Sequence, residues 1–308
     1  KRQYAQRHIV AEVGDDPNEI SLEEARKIDP RYEVDDIVET EVTPRNFGRI
    51  AAQNAKQVVV QRIREAERGM VFEKFSSREN DIVTGIIQRM ENKNVYIDLG
   101  KAEAILTPNE QITGEIYQYH DRMKTYIVEV KKTSKGPQIM VSRTHPGLLK
   151  RLFELEVPEI HDGLVEIKSV AREPGMRSKI SVYTKDENID PVGACVGHKG
   201  MRVQTIVNEL RGEKIDIVKY SSEPDQYVAN ALSPAKVVST EVLEEEKICR
   251  VIVPDYQLSL AIGKEGQNAR LAAKLTGWKI DIKSESQAAE EAEQGAQEVG
   301  VAYEADED

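Results

Sequence analysis

The spacing of apolar residues changes several times along the chain. Between Asp29 and Thr43 apolar and acidic side chains alternate, which predicts strand interrupted by turns. From Pro44 to Gly69 the chain is rich in Ala, Gln and Arg, and its apolar residues recur at helical intervals. Because a glycine often caps the end of a helix, we predict a long amphipathic helix that ends at Gly69. The apolar positions behind these predictions are Tyr32, Val34, Ile37, Val38 and Val42, and then Val58, Val59 and Ile63.

Short β-rich runs follow between Glu79 and Thr144. Turn-forming residues separate the runs at Asn92–Asn94 and at Ser134–Pro137. Five short strands in about 65 residues fit a small closed barrel of the OB type, whose second and third strands form a binding face. The predicted strands are Ile82–Ile87, Val95–Leu99, Ala102–Leu106, Tyr126–Val130 and Ile139–Val141.

The same order of elements then occurs twice, in residues 145–220 (the first repeat) and in residues 221–283 (the second repeat). In each repeat the sequence pattern predicts a helix, two strands, a short helix, a Gly-x-x-Gly loop, a second helix and a final strand. Loop 1 is Gly197-His198-Lys199-Gly200, and loop 2 is Gly263-Lys264-Glu265-Gly266. This order of elements resembles the KH fold. The predicted helices and strands are Leu148–Leu155, Val165–Val170, Ile180–Val182 and Lys214–Lys219, and then Tyr227–Leu232, Val237–Leu243, Ile248–Val253 and Lys279–Lys283.

The two loops are candidate sites for single-stranded RNA. Two glycines let the backbone approach a sugar-phosphate chain, and the following helix offers free N–H groups and the positive end of its dipole. In KH modules the bases then lie across an apolar groove that holds about four nucleotides. The alternative for each loop is a plain corner between two helices, in which glycine relieves a steric problem. Both loops occur at the same place in the repeated order of elements, which favours RNA binding over two unrelated corners.

Basic residues in and after the loops are the predicted phosphate contacts. Glu265 is expected to repel phosphate and so to weaken RNA binding at loop 2, although the helix that follows loop 2 can still bind RNA. The predicted contacts are His198, Lys199 and Arg202 in and after loop 1, and Lys264, Arg270 and Lys274 in and after loop 2, together with the glycines Gly197, Gly200, Gly263 and Gly266.

The barrel offers a smaller set of RNA-binding candidates. Tyr96 is predicted to stack on a base, and Arg89, Lys101 and Arg143 to contact phosphates. The alternative for Tyr96 is packing beneath a loop. With few aromatic residues in the barrel, we expect affinity to come from avidity across three modules held in a fixed order.

The charge of the chain is unevenly distributed. The net charge is −11, but Ser284–Asp308 carries nine acidic residues and no basic ones, so the preceding residues carry only −2. This end has one aromatic residue, Tyr303, and we predict a disordered acidic tail. The alternative for this tail is a solvated terminus that has no function. Cys195 and Cys249 lie far apart in apolar stretches, which predicts small buried residues in a reducing cytosol rather than a disulfide or a metal pair.

Several classes of protein are disfavoured by the sequence. No run of 18 or more apolar residues occurs, so we expect a cytoplasmic, unexported protein without a membrane partner. The motif Gly-x-x-x-x-Gly-Lys-Ser/Thr and a clustered Asp/Glu set for a two-metal site are both missing, and the histidines are scattered. We therefore predict no enzymatic activity, no metal and no cofactor. Those histidines are His8, His120, His145, His161 and His198.

Longer stretches carry a resemblance to known families. Val83-Thr84-Gly85, Tyr96–Gly100 and Val141-Ser142-Arg143 resemble the S1 RNA-binding domain. Over roughly residues 15–283 the chain resembles the NusA family of bacterial transcription factors. The stretches that carry this second resemblance are Thr43–Ala51, His145–Leu149, Asp190–Gly197, Glu213–Ile217 and Ala261–Trp278.

The resemblance implies a multidomain α+β protein. We expect a partial N-terminal α/β domain that binds RNA polymerase (1–77), an S1-type OB β-barrel (78–144), two tandem type II KH domains (145–220 and 221–283) and the acidic tail (284–308). Its implied partners are single-stranded nascent RNA, RNA polymerase core and other Nus-type factors, and we expect a monomer. The implied function is to modulate pausing, intrinsic termination and antitermination.

Two other functions use the same modules. One is an RNA-processing enzyme or its accessory protein, since S1 and KH modules accompany phosphorolytic nucleases. No segment of this chain remains for the catalytic core of such an enzyme. The other is an RNA-binding adaptor that acts without polymerase, and polymerase binding by the first domain would argue against it.

Overall fold

A computed structural model describes residues 4–14, 16–41 and 47–293. The chain divides into two compact units, Lys1–Glu67 and Arg68–Asp308. The predictions made for Val42, for residues 43–46 and for the end of the acidic tail, residues 294–308, lie outside the described residues.

The first unit contains a small mixed sheet. Its strands lie in the order β2-β1-β3, with β1 parallel to β2 and antiparallel to β3. Ser21 caps α1, because its hydroxyl accepts a hydrogen bond from the backbone N of Glu24 at 3.3 Å. Only β3 lies within a predicted strand, and the other elements were missed. The elements are β1 Tyr4–Val10, β2 Glu19–Ser21, α1 Leu22–Ile28 and β3 Ile37–Glu41, around a core of Ile9, Ile20, Ala25 and Val38.

Helix α2, Phe47–Ser76, is longer than predicted. Gly69 does not end it: Val71, Phe72 and Phe75 follow within the helix and pack on the core of the barrel. Burial of these side chains stabilises the two further turns despite the low helix propensity of glycine. The predicted apolar stripe is exposed, with Val58 59%, Val59 57% and Ile63 52% accessible.

Five strands form the predicted closed barrel. The order around the barrel is β4-β5-β6-β8-β7, in which β6 and β8 pair in parallel and the other neighbours are antiparallel. Apolar side chains at alternating positions fill the interior, among them Ile87, Ile97 and Ile127. The strands are β4 Ile82–Glu91, β5 Asn94–Asp98, β6 Glu103–Leu106, β7 Arg122–Thr133 and β8 Gly136–Ser142.

The two repeats have the same topology. In the first, β9 pairs antiparallel with β10, and β10 pairs in parallel with β11. In the second, β12, β13 and β14 pair in the same way. The first repeat contains α3 Pro146–Glu156, α4 Pro158–His161, β9 Glu166–Glu173, β10 Arg177–Tyr183, α5 Pro191–Val196, α6 Met201–Glu209 and β11 Lys214–Lys219. The second contains α7 Pro224–Ala231, β12 Ser239–Leu243, β13 Ile248–Val253, α8 Leu258–Ile262, α9 Gln267–Thr276 and β14 Lys279–Ser284.

The acidic tail differs in part from its prediction. Ser284 is the last residue of β14, and residues 285–293 are helical rather than disordered. Ser284 begins this helical turn, because its backbone N donates to the side chain of Gln287 at 3.1 Å and its hydroxyl accepts from the backbone N of Gln287 at 3.3 Å. Lys283 pairs with Glu291 at 2.5 Å, so an acidic residue of the tail lies against the last strand of the sheet.

Candidate nucleic-acid interface

Loops 1 and 2 have the same backbone conformation. The first glycine of each loop is extended with positive φ, at φ 75° and ψ 176° for Gly197 and φ 78° and ψ 170° for Gly263. The third residue is left-handed in both, with φ 51° at Lys199 and φ 54° at Glu265. The loops are therefore two copies of one structure, and their differences lie in the side chains.

The two glycines of each loop have different tasks. A Cβ on Gly197 would lie 2.7 Å from Cγ of Arg202, and one on Gly263 would lie 2.8 Å from Cβ of Asn268. Thus the first glycine makes room for the protein's own helix. A Cβ on Gly200 or Gly266 would meet nothing within 4 Å. Only the second glycine leaves open space that a sugar-phosphate backbone could occupy.

Each loop leads into a helix whose start is free of side-chain caps. Gly200 precedes α6 and Gly266 precedes α9, and in the described part of the chain no side chain caps either position. The backbone N–H of Met201 donates to the His198 carbonyl and that of Gln267 to the Lys264 carbonyl, so the first N–H group of each helix is engaged within its loop and the positive end of the helix dipole remains beside the second glycine. Such helix starts favour anions such as phosphate.

The cations of loop 1 divide into exposed and engaged side chains. His198 and Lys199 are exposed. Arg202, predicted to contact phosphate, instead donates to Glu159 Oε2 at 2.9 Å and to the Ala194 carbonyl at 2.6 Å. Arg202 thus braces the base of the loop, and Lys199 is its exposed cation, next to the exposed imidazole of His198.

Loop 2 has a different charge pattern. Lys264 and Glu265 are both exposed, so an acid occupies the left-handed position that holds Lys199 in loop 1. Arg270 donates through Nε to Glu173 Oε1 at 2.6 Å and through Nη1 to the Glu265 carbonyl at 3.1 Å. Lys274 is exposed one turn later on α9. Lys264 and Lys274 are therefore the freer cations of this loop.

The repeats are packed against one another, which fixes the two loops in relation to each other. Lys179 on β10 is fully buried and lies 3.0 Å from Asp216 Oδ2 and 2.8 Å from the Ser233 carbonyl of the second repeat. The hydroxyl of Tyr227 lies 2.8 Å from Ser181 Oγ. Ala171 and Val218 of the first repeat belong to the core of the second.

Two of the candidate residues of the barrel, Arg89 and Tyr96, lie in contact. Arg89 lies over the ring of Tyr96, 4.1 Å from its centroid, and pairs with Glu103 at 2.8 Å. Lys101 is exposed beyond β5. Tyr96 and Arg89 form a half-exposed stacking surface of the kind that accepts a base.

Arg143 is buried, and its predicted phosphate contact is wrong. Its side chain is 0% exposed between the barrel and the first repeat. It pairs there with Glu115 and donates to the carbonyls of Lys124 at 2.8 Å and Glu209 at 3.0 Å. A guanidinium that is so enclosed cannot reach RNA.

Sequence reasoning missed a group of cations at one end of the barrel. Lys131, Lys132 and Lys135 are exposed on the β7–β8 hairpin, and Arg68 of α2 donates to the Ser134 carbonyl at 3.3 Å. Lys132 also lies 5.5 Å from the ring centroid of Phe72. The signal is present in the run from Lys131 to Lys135, from which the turn-forming residues alone predict a turn and no binding site. In OB folds the corresponding loop contacts oligonucleotides.

The cysteines and other ligating groups suggest no further chemistry. Cys195 and Cys249 are free and fully buried, as predicted. Burial raises the pKa of the Cys195 thiol to about 12. Within residues 4–14, 16–41 and 47–293 no cluster of His, Cys, Asp and Glu is suited to a metal ion. In the same ranges no helix is both long and apolar enough to cross a bilayer.

Family models match the chain in four consecutive segments. They are described as the NusA N-terminal domain (residues 2–69), the S1 RNA binding domain (76–142), the NusA-like first KH domain (143–220) and the NusA-like second KH domain (224–290). The predicted α+β class and the order of modules are thereby confirmed.

Relatives from three bacteria share most of the chain, and each is named transcription termination/antitermination protein NusA. The protein of Halalkalibacterium halodurans is 69% identical over 94% of this chain and 76% of its own length. The one of Bacillus subtilis is 68% identical over 94% and 78%. The one of Thermus thermophilus is 46% identical over 89% and 71%. At these identities and coverages, the chain belongs to the NusA family.

Proposed function

We propose that the protein binds single-stranded nascent RNA and acts with RNA polymerase to modulate pausing, intrinsic termination and antitermination. The observation that carries RNA binding is the pair of loops with one backbone, each with an open second glycine and an uncapped helix start. The names of the relatives, transcription termination/antitermination protein NusA, support the role in termination and antitermination. Exposed Lys199 and Lys264 supply the charge that phosphate binding needs.

The proposal extends to partners. Residues 2–69 match the NusA N-terminal domain, and we assign to this part of the chain the contact with RNA polymerase core. Nascent RNA would then reach the barrel and the loops, and other Nus-type factors would join the same complex. The protein acts as a monomer in the cytoplasm without enzymatic activity, and its RNA preference resides in the groove next to each loop.

The test of RNA binding uses Lys199→Asp with Lys264→Asp. We expect a marked loss of affinity for a short unstructured RNA. The dependence of affinity on salt should also become shallower, by about 0.7 in the logarithmic slope for each phosphate that a lysine no longer neutralises. The matched control is Lys27→Asp with Lys247→Asp, which changes net charge equally at exposed lysines outside the loops. Equal binding by both double variants would leave the loops as structural corners.

The proposed action with RNA polymerase is tested by a transcription assay. Transcription by purified RNA polymerase over a template with an intrinsic terminator is measured with the intact chain and with the loop variant. We expect the intact chain to change the fraction of terminated transcripts and the loop variant to change it less. An RNA-binding adaptor that acts without polymerase would leave that fraction unaltered in both cases, and RNA cleavage by the purified protein would favour a processing enzyme.

A further inference from the structure

Glu173 of the first repeat holds two side chains of the second repeat. It is the last residue of β9, and its side chain is 17% exposed. Oε1 accepts from Arg270 Nε at 2.6 Å, and Oε2 accepts from Gln267 Nε2 at 2.8 Å. The hydrogen bond from Arg270 holds the pKa of Glu173 below its ordinary value, and so the carboxylate stays charged.

Both of these partners adjoin loop 2. Gln267 directly follows Gly266, the second glycine of the loop, and is the first residue of α9. Arg270 lies one turn later, and its Nη1 donates to the backbone carbonyl of Glu265 at 3.1 Å. A continuous set of hydrogen bonds therefore joins the sheet of the first repeat to the left-handed residue of loop 2.

Loop 1 is held differently. The positions equivalent to Gln267 and Arg270 are Met201 and Gln204. Met201 is 66% exposed, and Gln204 donates within its own helix to Asn208 at 2.9 Å. The base of loop 1 is tied instead by Arg202 to Glu159 of the same repeat at 2.9 Å. Only at loop 2 do these positions bind the neighbouring repeat.

We propose that Glu173 is a positioning residue, which sets the place of loop 2 relative to the first repeat so that one RNA strand can engage both loops. This inference rests on the proposed function. An RNA that spans both repeats gains affinity because the second contact is intramolecular, and that gain depends on the geometry between the loops. Loop 2 needs this help because Glu265 repels phosphate at the position where loop 1 has Lys199.

A competing role for Glu173 has the opposite sign. If the carboxylate served only to neutralise Arg270 and to withhold it from phosphate, removing the charge would release a cation and strengthen RNA binding. The two roles therefore differ in the direction of the change, and also in whether the change depends on RNA length.

The experiment compares Glu173→Ala and Glu173→Gln in the intact chain. RNAs of about 12 and about 5 nucleotides are used, because each module holds about four and only the longer strand engages both. For Glu173→Ala we expect about tenfold weaker binding of the longer RNA and affinity within about twofold for the shorter one. Glu173→Gln keeps an oxygen acceptor and should lie in between. The matched control is Glu241→Ala, which removes an exposed carboxylate that pairs with Arg250 at 3.3 Å.

Hydrogen exchange without RNA supplies an independent readout. In Glu173→Ala we expect faster exchange of the amides around loop 2, residues 263–270, and unchanged exchange around loop 1, residues 197–204. Unchanged exchange at loop 2, or tighter binding of the longer RNA, would overturn the positioning role. If the unaltered chain bound no RNA at all, the proposed function would fail, while the exchange measurement would still decide whether Glu173 holds loop 2.

Discussion

Arg143 and Glu115 form an ion pair that is closed to solvent, with 0% and 2% of their side chains exposed. Arg143 follows the last strand of the barrel, and its remaining donors reach carbonyls of the barrel and of α6. Glu209 adds a second carboxylate at 3.7 Å and pairs with Lys124 at 3.1 Å. A charge that sequence reasoning assigned to RNA binding thus joins the barrel to the first repeat.

Replacing Arg143 should destabilise this junction strongly. Arg143→Met removes the main partner of the buried carboxylate of Glu115 and leaves it with Arg211 at 3.4 Å and the Tyr117 hydroxyl at 2.7 Å. The variant should therefore cost about 3 kcal/mol of unfolding free energy, the low end of the range for a broken buried pair. Urea unfolding measures the loss. The control Arg250→Met breaks a pair whose side chains are 53% and 63% exposed, and should cost less than about 1 kcal/mol. The double variant Arg143→Met with Glu115→Met should regain much of the loss; a loss for Arg143→Met no larger than that of the control would contradict the account.

The barrel strands and the two loops were predicted from sequence, whereas the burial of Arg143 was not. Alternating apolar residues and turn-forming residues located the barrel strands, and the repeated order of elements located both loops, because these patterns are local. The partners of Arg143 lie 28 and 66 positions away. Nothing in the local sequence distinguishes an arginine that is enclosed by such distant groups from one that faces solvent.

The end of α2 was mispredicted for a related reason. Glycine within a helix costs about 1 kcal/mol relative to alanine, which is a local effect. Burial of a phenylalanine side chain stabilises by about 1.5–3 kcal/mol, and Phe75 is 3% exposed in the barrel core. Tertiary packing therefore outweighs the local preference, and the helix continues through Gly69.

The two glycines of loop 1 should respond differently to alanine. Gly197→Ala places a Cβ 2.7 Å from Arg202 in a backbone region that is nearly restricted to glycine, so it should cost about 2–4 kcal/mol of stability. The Cβ of Gly200→Ala meets open space, so this variant loses stability only through the left-handed backbone conformation, which costs about 1–2 kcal/mol. Chemical denaturation ranks the two variants. RNA titration of the folded proteins should show weaker binding by Gly200→Ala, and a larger stability loss at Gly200 than at Gly197 would reverse the assignment.

The pair of Arg172 and Glu213 should give the protein an acid-sensitive step. Burial by itself raises the pKa of Glu213. The hydrogen bonds and charge of Arg172, together with hydrogen bonds from Ser178 and the Gly175 amide, outweigh burial and hold the pKa of Glu213 below its ordinary value. Because the folded pKa is the lower one, the stabilisation is present above the unfolded pKa and is lost as pH falls through the folded pKa.

Arg172→Met should reverse this dependence. Burial would then raise the pKa of Glu213 above its unfolded value, so this carboxyl would favour the folded state below the unfolded pKa and oppose it as pH rises. Unfolding free energies measured from acidic to neutral pH test the sign. The control is Arg89→Met at an exposed pair, and a variant whose stability rises with pH as steeply as that of the parent would contradict the prediction.

Glu265→Lys should make loop 2 a stronger RNA site. Glu265 and Lys199 occupy equivalent left-handed positions at φ 54° and 51°, so lysine fits there without added strain. Exchanging repulsion for attraction at an exposed phosphate contact should gain about 1 kcal/mol, or roughly fivefold in affinity. The salt dependence should steepen by about 0.7 in slope. Glu246→Lys makes the same change of charge at an exposed turn of the second repeat and serves as the control. A similar gain in both variants would mean that net charge, rather than the position of residue 265 next to the open glycine, governs the affinity; a gain confined to Glu265→Lys would locate phosphate at loop 2.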